Sequence, residues 1–131
     1  MTKFFNCLIM AACLFLAIPG AGKVYANTIP ERADMDEVII LKDTKTSDGV
    51  RTIIAKPSNV CSRQIEVSVK DGKVLKVTFT GGCSGNTQGV ATLVQGMTVK
   101  DVIKKLKGID CGGRGTSCPD QLAKVMEYFL L

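Results

Sequence analysis

The chain has 131 residues, with 17 Lys+Arg against 12 Asp+Glu, a formal charge of +5, six cysteines, and neither histidine nor tryptophan. Without imidazole there is no Ser-His-Asp or Cys-His nucleophile, no histidine metal clamp and no histidine proton shuttle. The positive excess is too small to argue for nucleic acid, so thiols are the chemistry that this composition offers.

A short basic start at Met1–Lys3 leads into the apolar run Phe4–Ile18, which Pro19-Gly20 breaks before the small residue Ala26. This pattern reads as a secretory signal peptide over residues 1–26 and predicts an exported protein, periplasmic or extracellular. The run is 15 residues long, short of the roughly 20 that cross a bilayer as a helix. An uncleaved leader serving as a membrane anchor is the alternative, and it would be the only contact with a membrane. After cleavage, 15 basic and 12 acidic residues would remain, a charge of about +3.

Residues 27–59 read as a linker, "NTIPERADMD", followed by a β-hairpin extension. Its strands are the β-branched runs Glu37–Lys42 and Val50–Ala55. A domain is expected over residues 60–131. It begins with a hairpin in which Ile65, Val67 and Val69 face inward on one strand and Leu75, Val77 and Phe79 on the next. Asp71-Gly72 supplies the positive φ angles of the turn.

The apolar period then changes from two to about 3.6. Val90, Leu93, Val94 and Met97 form the buried face of a first helix, with Gly96 as its terminator. Thr98 caps a second helix, with Asp101 as the capping-box acid. Val99, Val102, Ile103 and Leu106 are its inner face, Gly108 its end, and Lys104–Lys107 a solvated stripe. A third helix starts at Pro119 and buries Leu122, Val125, Met126 and Phe129. The predicted fold is α+β: an antiparallel sheet built on a β-hairpin, then about three helices packed on one face.

Four cysteines lie in this part of the chain: Cys61, Cys83, Cys111 and Cys118. Cys61 precedes the first hairpin strand and Cys83 follows the second, so closing the hairpin brings them together. Cys83 and Cys118 each stand just before a helix, where the positive end of the helix dipole favours a thiolate. The glycine-rich loop after Cys111 lets it fold back toward the same point. Four converging thiols suit tetrahedral zinc. Two disulfides, in any of three connectivities, are the simpler reading of an exported four-cysteine domain. The glycine loops "GGCSGN" and "CGGRG" lack the ending of a phosphate-binding loop.

The segment from Val60 to Leu130 resembles closely the TSCPD-domain family, whose motif stands here as Thr116-Ser117-Cys118-Pro119-Asp120. The four family cysteines fall on Cys61, Cys83, Cys111 and Cys118. Such domains also form the C-terminus of cobalamin-dependent ribonucleoside-diphosphate reductases, so the resemblance implies a reductase-related label and an accessory role. The catalytic barrel of a reductase has no counterpart in these residues, and the chain is not expected to be an enzyme by itself. More distantly, the order of cysteines and helices is similar to NifU-type iron–sulfur scaffolds, whose cluster or zinc ligands would fall on Cys61, Cys83 and Cys118.

The leading expectation is a non-catalytic binding module whose metal ligands are Cys61, Cys83, Cys111 and Cys118, with Zn²⁺ preferred over an iron–sulfur cluster and an unidentified protein as partner. The alternative is a thiol redox or persulfide carrier. In it, Cys118 attacks, Cys111 or Cys83 resolves, and Arg114 stabilises the thiolate. Asp120 is read as a partner of the helix dipole, with a supporting contact to the thiol site as its other reading.

Overall fold

The structure, a computed structural model, describes residues 37–131. The expected leader and the linker as far as Asp36 lie outside the described residues, as do Cys7 and Cys13. Among the described residues, no helix is long and apolar enough to cross a membrane.

Four antiparallel strands, β1 (Ile39–Lys45), β2 (Arg51–Lys56), β3 (Ser62–Lys70) and β4 (Lys73–Gly81), form one sheet in sequence order. Three helices follow: α1 (Ser84–Leu93), α2 (Val99–Leu106) and α3 (Cys118–Glu127). The α+β arrangement is the one the apolar periods predict. β2 pairs with β3, with Ile53 opposite Val67 and Ala55 opposite Ile65. The sheet therefore runs unbroken across residue 60, where the sequence pattern alone begins the domain.

Alternation decides which face is covered. Ile53, Ala55, Ile65, Val67, Val69, Val74 and Val77 are all buried on one side of the sheet, where they join Leu122, Val125 and Met126 of α3 in a single core. The β3–β4 turn takes the expected form, with Asp71 at φ 50° and Gly72 at φ 71°.

Leu75 departs from the expectation. A bulge shifts the register so that Val69 faces Val74 while Ser68 faces Lys76. The extra residue flips the phase of the strand, burying Val74 and leaving Leu75 48% exposed. β1 also differs, starting two residues later than expected and running on through the polar Asp43-Thr44-Lys45. It is an edge strand with mostly exposed side chains, so backbone pairing and the Asp43–Arg51 ion pair at 2.7 Å define its extent rather than an apolar period.

Among the helices, Leu93 is solvent-facing rather than buried, because α1 ends there and Val94 is the residue that turns into the core. The α1–α2 connection docks on the start of β4 through Gly96 N–H to Val74 O and Val74 N–H to Met97 O. Thr98 caps α2 as expected, accepting from the Asp101 N–H at 3.2 Å. The Asp101 carboxylate accepts from the Thr98 hydroxyl rather than from its backbone. In α3 the cap is Ser117, so Cys118 is the first helical residue and Pro119 the second.

Candidate functional site

The β3–β4 pairing sets Ser62 opposite Gly81, so Cys61 and Cys83 leave the sheet side by side at the end remote from the Asp71-Gly72 turn. Gly81 and Gly82 carry the chain to Cys83 with φ of 79° and 87°. A Cβ on Gly82 would lie 3.0 Å from the Thr87 methyl, so the strand can turn into α1 this tightly only with glycine there. The Cys83 carbonyl accepts from the Thr87 N–H at 2.9 Å, while its thiol makes no capping bond.

Cys111 opens the loop to Gly115. The Asp110 carboxylate shapes this loop, accepting from the Gly113 and Gly115 N–H groups at 2.7 and 2.6 Å. The Cys111 N–H closes its base on the Thr116 carbonyl at 3.1 Å. Cys118 is buried at the head of α3 and takes a hydrogen bond from the Ser62 hydroxyl at 3.3 Å. Cys61, Cys83 and Cys111 are exposed, and all four are free thiols.

Electrostatics links the four. The Arg114 guanidinium donates to Cys61 Sγ at 3.4 Å, and this bond, then its charge, pulls the Cys61 thiol below its ordinary pKa. Cys83 is pushed the other way, by the neighbouring Cys61 charge first, then desolvation, with Cys111 and Cys118 adding. The helix-end argument predicts a lowered Cys83, whereas the neighbouring Cys61 charge and desolvation push it up, and the Cys83 thiol makes no capping bond to α1. Arg114 does stabilise a thiolate, but that of Cys61 rather than the Cys118 thiolate expected from sequence.

Beneath the thiols lies a buried polar network. The Thr116 hydroxyl donates to Asp120 Oδ2 at 2.7 Å and accepts from Gln121 Nε2 at 3.0 Å. Asp120 Oδ1 accepts from the Gly108 N–H at 2.7 Å, and Lys124 Nζ lies 3.2 Å from Oδ2. Gln121 Oε1 accepts from the Ser58 N–H at 2.9 Å. Asp120 thus joins the turn after α2 to α3, which goes beyond the dipole role expected of it. Sequence reasoning gave Ser62 and Gln121 no part in the site, and Thr116 only a place in the motif. Their polarity at buried positions was the available signal, but it becomes visible only once burial is known.

Cys83 lies within electrostatic reach of the other three thiols, yet no group of three or more Cys, Asp, Glu or His among the described residues stands arranged to hold a metal ion. As a donor set the four thiols fit zinc; as placed, their side chains do not form a ready cage. A cleft of about 440 Å³ lies at the other end of the sheet, between Lys45, Arg51, Thr98 and Phe129, and takes no part in this chemistry.

A family model described as the TSCPD domain matches residues 34–130, a span that takes in all four strands and all three helices. No curated protein and no solved structure matches the chain.

Proposed function

The chain belongs to the TSCPD-domain family, and from that premise we propose that it is an exported, non-catalytic binding module whose thiols Cys61, Cys83, Cys111 and Cys118 hold one metal ion, preferentially Zn²⁺. The observation that carries the reading is convergence: the β3–β4 register brings Cys61 and Cys83 together, Ser62 beside Cys61 donates to Cys118, Arg114 from the Cys111 loop donates to Cys61, and the charges of the other three thiols push Cys83 up. A divalent cation placed among them relieves that repulsion and keeps all four deprotonated. The ion would supply cohesion, tying the β3–β4 hairpin ends to the Cys111 loop and the head of α3, as structural zinc does in small domains. Binding requires the side chains to turn toward one another from their present positions. The surface so fixed is proposed to serve an accessory role toward a protein partner.

The test is metal analysis with a thiol count on protein purified from the compartment to which it is exported. One zinc per chain, with thiols that react only after chelation, is the expected result. Metal-free protein with two disulfides replaces the module by a covalently stapled domain, and iron with labile sulfide replaces zinc by a cluster.

The Arg114–Cys61 hydrogen bond favours a second reading, a thiol carrier. In it Cys61, exposed and charge-assisted, attacks a partner's disulfide and Cys83 resolves the mixed disulfide. Cys118 is poorly placed for that attack because it is buried.

A further inference from the structure

We infer that Thr116, Asp120 and Gln121 are positioning residues whose shared hydrogen-bond network sets where the chain segments carrying Cys61, Cys111 and Cys118 sit relative to one another. This deepens the metal-module reading, although the placement it describes belongs to the protein without metal.

All three side chains are polar and almost wholly buried: Thr116 and Gln121 at 0% exposure and Asp120 at 3%. Buried polar groups are costly unless paired, and among the described residues no buried side-chain nitrogen or oxygen lacks a partner. Where the bonds go is the informative part. Gln121 Oε1 receives the N–H of Ser58, three positions before Cys61. Asp120 Oδ1 receives the N–H of Gly108, three positions before Cys111. Thr116, two positions before Cys118, links the two carriers, donating to Asp120 and accepting from Gln121.

Three stretches distant in sequence are thus referenced to one point at the head of α3. Capping does not account for the arrangement, because the Ser117 hydroxyl already accepts from the Asp120 N–H at 3.1 Å. The Asp120 and Gln121 side chains are therefore released from that duty and bind backbone N–H groups in other segments. Cys83 stands outside the network, since the β3–β4 register and Gly81-Gly82 place it.

That difference supplies an internal control. The full chain, reduced and metal-free, is treated with dibromobimane, which links only neighbouring thiols, and the linked pairs are mapped by mass spectrometry. Thr116→Val and Gln121→Met keep volume and remove the hydrogen bonds. Gln121→Met, which frees Ser58, should lower the Cys61–Cys118 link about tenfold, as loss of buried hydrogen bonds implies. Thr116→Val, which removes the junction between both carriers, should lower the Cys61–Cys118 and Cys111–Cys118 links by a similar factor. Both should leave the Cys61–Cys83 link unchanged. Thr116→Ser, which keeps the hydroxyl, should restore the wild-type pattern.

Variants that stay folded and give every link at wild-type yield overturn the proposal. So does loss of the Cys61–Cys83 link together with the others in both variants, because the residues then hold the whole fold rather than aim thiols. If only Thr116→Val fails to fold, Gln121→Met decides. Because no metal enters the experiment, protein found without zinc removes the module reading and leaves this inference standing. Unchanged links in a zinc-bearing protein do the reverse.

Discussion

Cys61 and Asp120 show how much of this molecule is decided by single side chains. Arg114 is an exposed loop residue whose guanidinium meets Cys61 Sγ, held there as Asn59 Nδ2 grips the Arg114 carbonyl at 3.3 Å. Arg114→Ala should return the Cys61 thiol toward its ordinary pKa and slow its alkylation at neutral pH. Residue-resolved iodoacetamide labelling across a pH series reads this directly, and Arg114→Lys should keep part of the effect because charge survives without the planar fork. Asp120 makes a different prediction. Burial works against its charge, but the Gly108 N–H, the Thr116 hydroxyl and Lys124 outweigh it and hold its carboxyl below the usual range. A carboxyl lowered on folding stabilises the native state above its unfolded pKa, near 4, and that stability drains away as pH falls through the folded value. The melting temperature should therefore drop below about pH 4 in the wild type. Asp120→Asn should be less stable at neutral pH, by about 1–3 kcal/mol for buried groups left mismatched, and flatter across the acid range. Equal acid slopes for the two proteins would show that Asp120 is not the group responsible.

At the scale of elements, the turn from β4 into α1 concentrates the constraint. Gly82→Ala places a Cβ 3.0 Å from the Thr87 methyl at φ 87°, and should cost about 1–3 kcal/mol in urea unfolding. Gly89 is the opposite case, mid-helix with open space where a methyl group would stand: Gly89→Ala should stabilise by about 0.5–1 kcal/mol. A Gly82→Ala protein as stable as wild type would mean that the turn relaxes at no cost, and the placement of Cys83 would then not depend on it. The contrast also explains what could be read in advance. The hairpin was legible because alternation and Asp71-Gly72 fix both its strands and its turn, and with them the nearness of Cys61 and Cys83. The bulge that exposes Leu75 was not, because one inserted residue reverses the inward face without leaving a mark in composition. The helices were legible from their 3.6 period, save at Leu93, where the end of α1 rather than its pattern decides exposure. Arg114–Cys61 and Gln121–Ser58 were out of reach for a further reason: each joins segments more than fifty positions apart through one side chain, and no periodicity encodes such a pair.

For the molecule as a whole, the sheet determines how much chain is needed before the thiols can meet. The motif-bearing residues begin near Val60, which invites the view that residues 60–131 suffice. The core argues otherwise. Ile53 and Ala55 of β2 are wholly buried in the same core as Val67 and Ile65, and β2 satisfies the free edge of β3. Removing residues 37–59 strips that edge, uncovers Ile65 and Val67, and deletes the Ser58 N–H that Gln121 Oε1 accepts. The network from which Cys118 is placed would lose its link to the Cys61 segment. Two large apolar side chains exposed together cost several kcal/mol at about 1.5–3 each, comparable with the whole stability of a domain this small. Residues 60–131 alone should therefore show the amide dispersion of an unfolded chain by NMR, while residues 37–131 fold cooperatively. Zinc added to the shorter chain separates the two contributions. Folding rescued by the metal would make the thiol site the dominant source of cohesion and β1–β2 an accessory, whereas a chain that stays unfolded with zinc bound would assign that cohesion to the sheet.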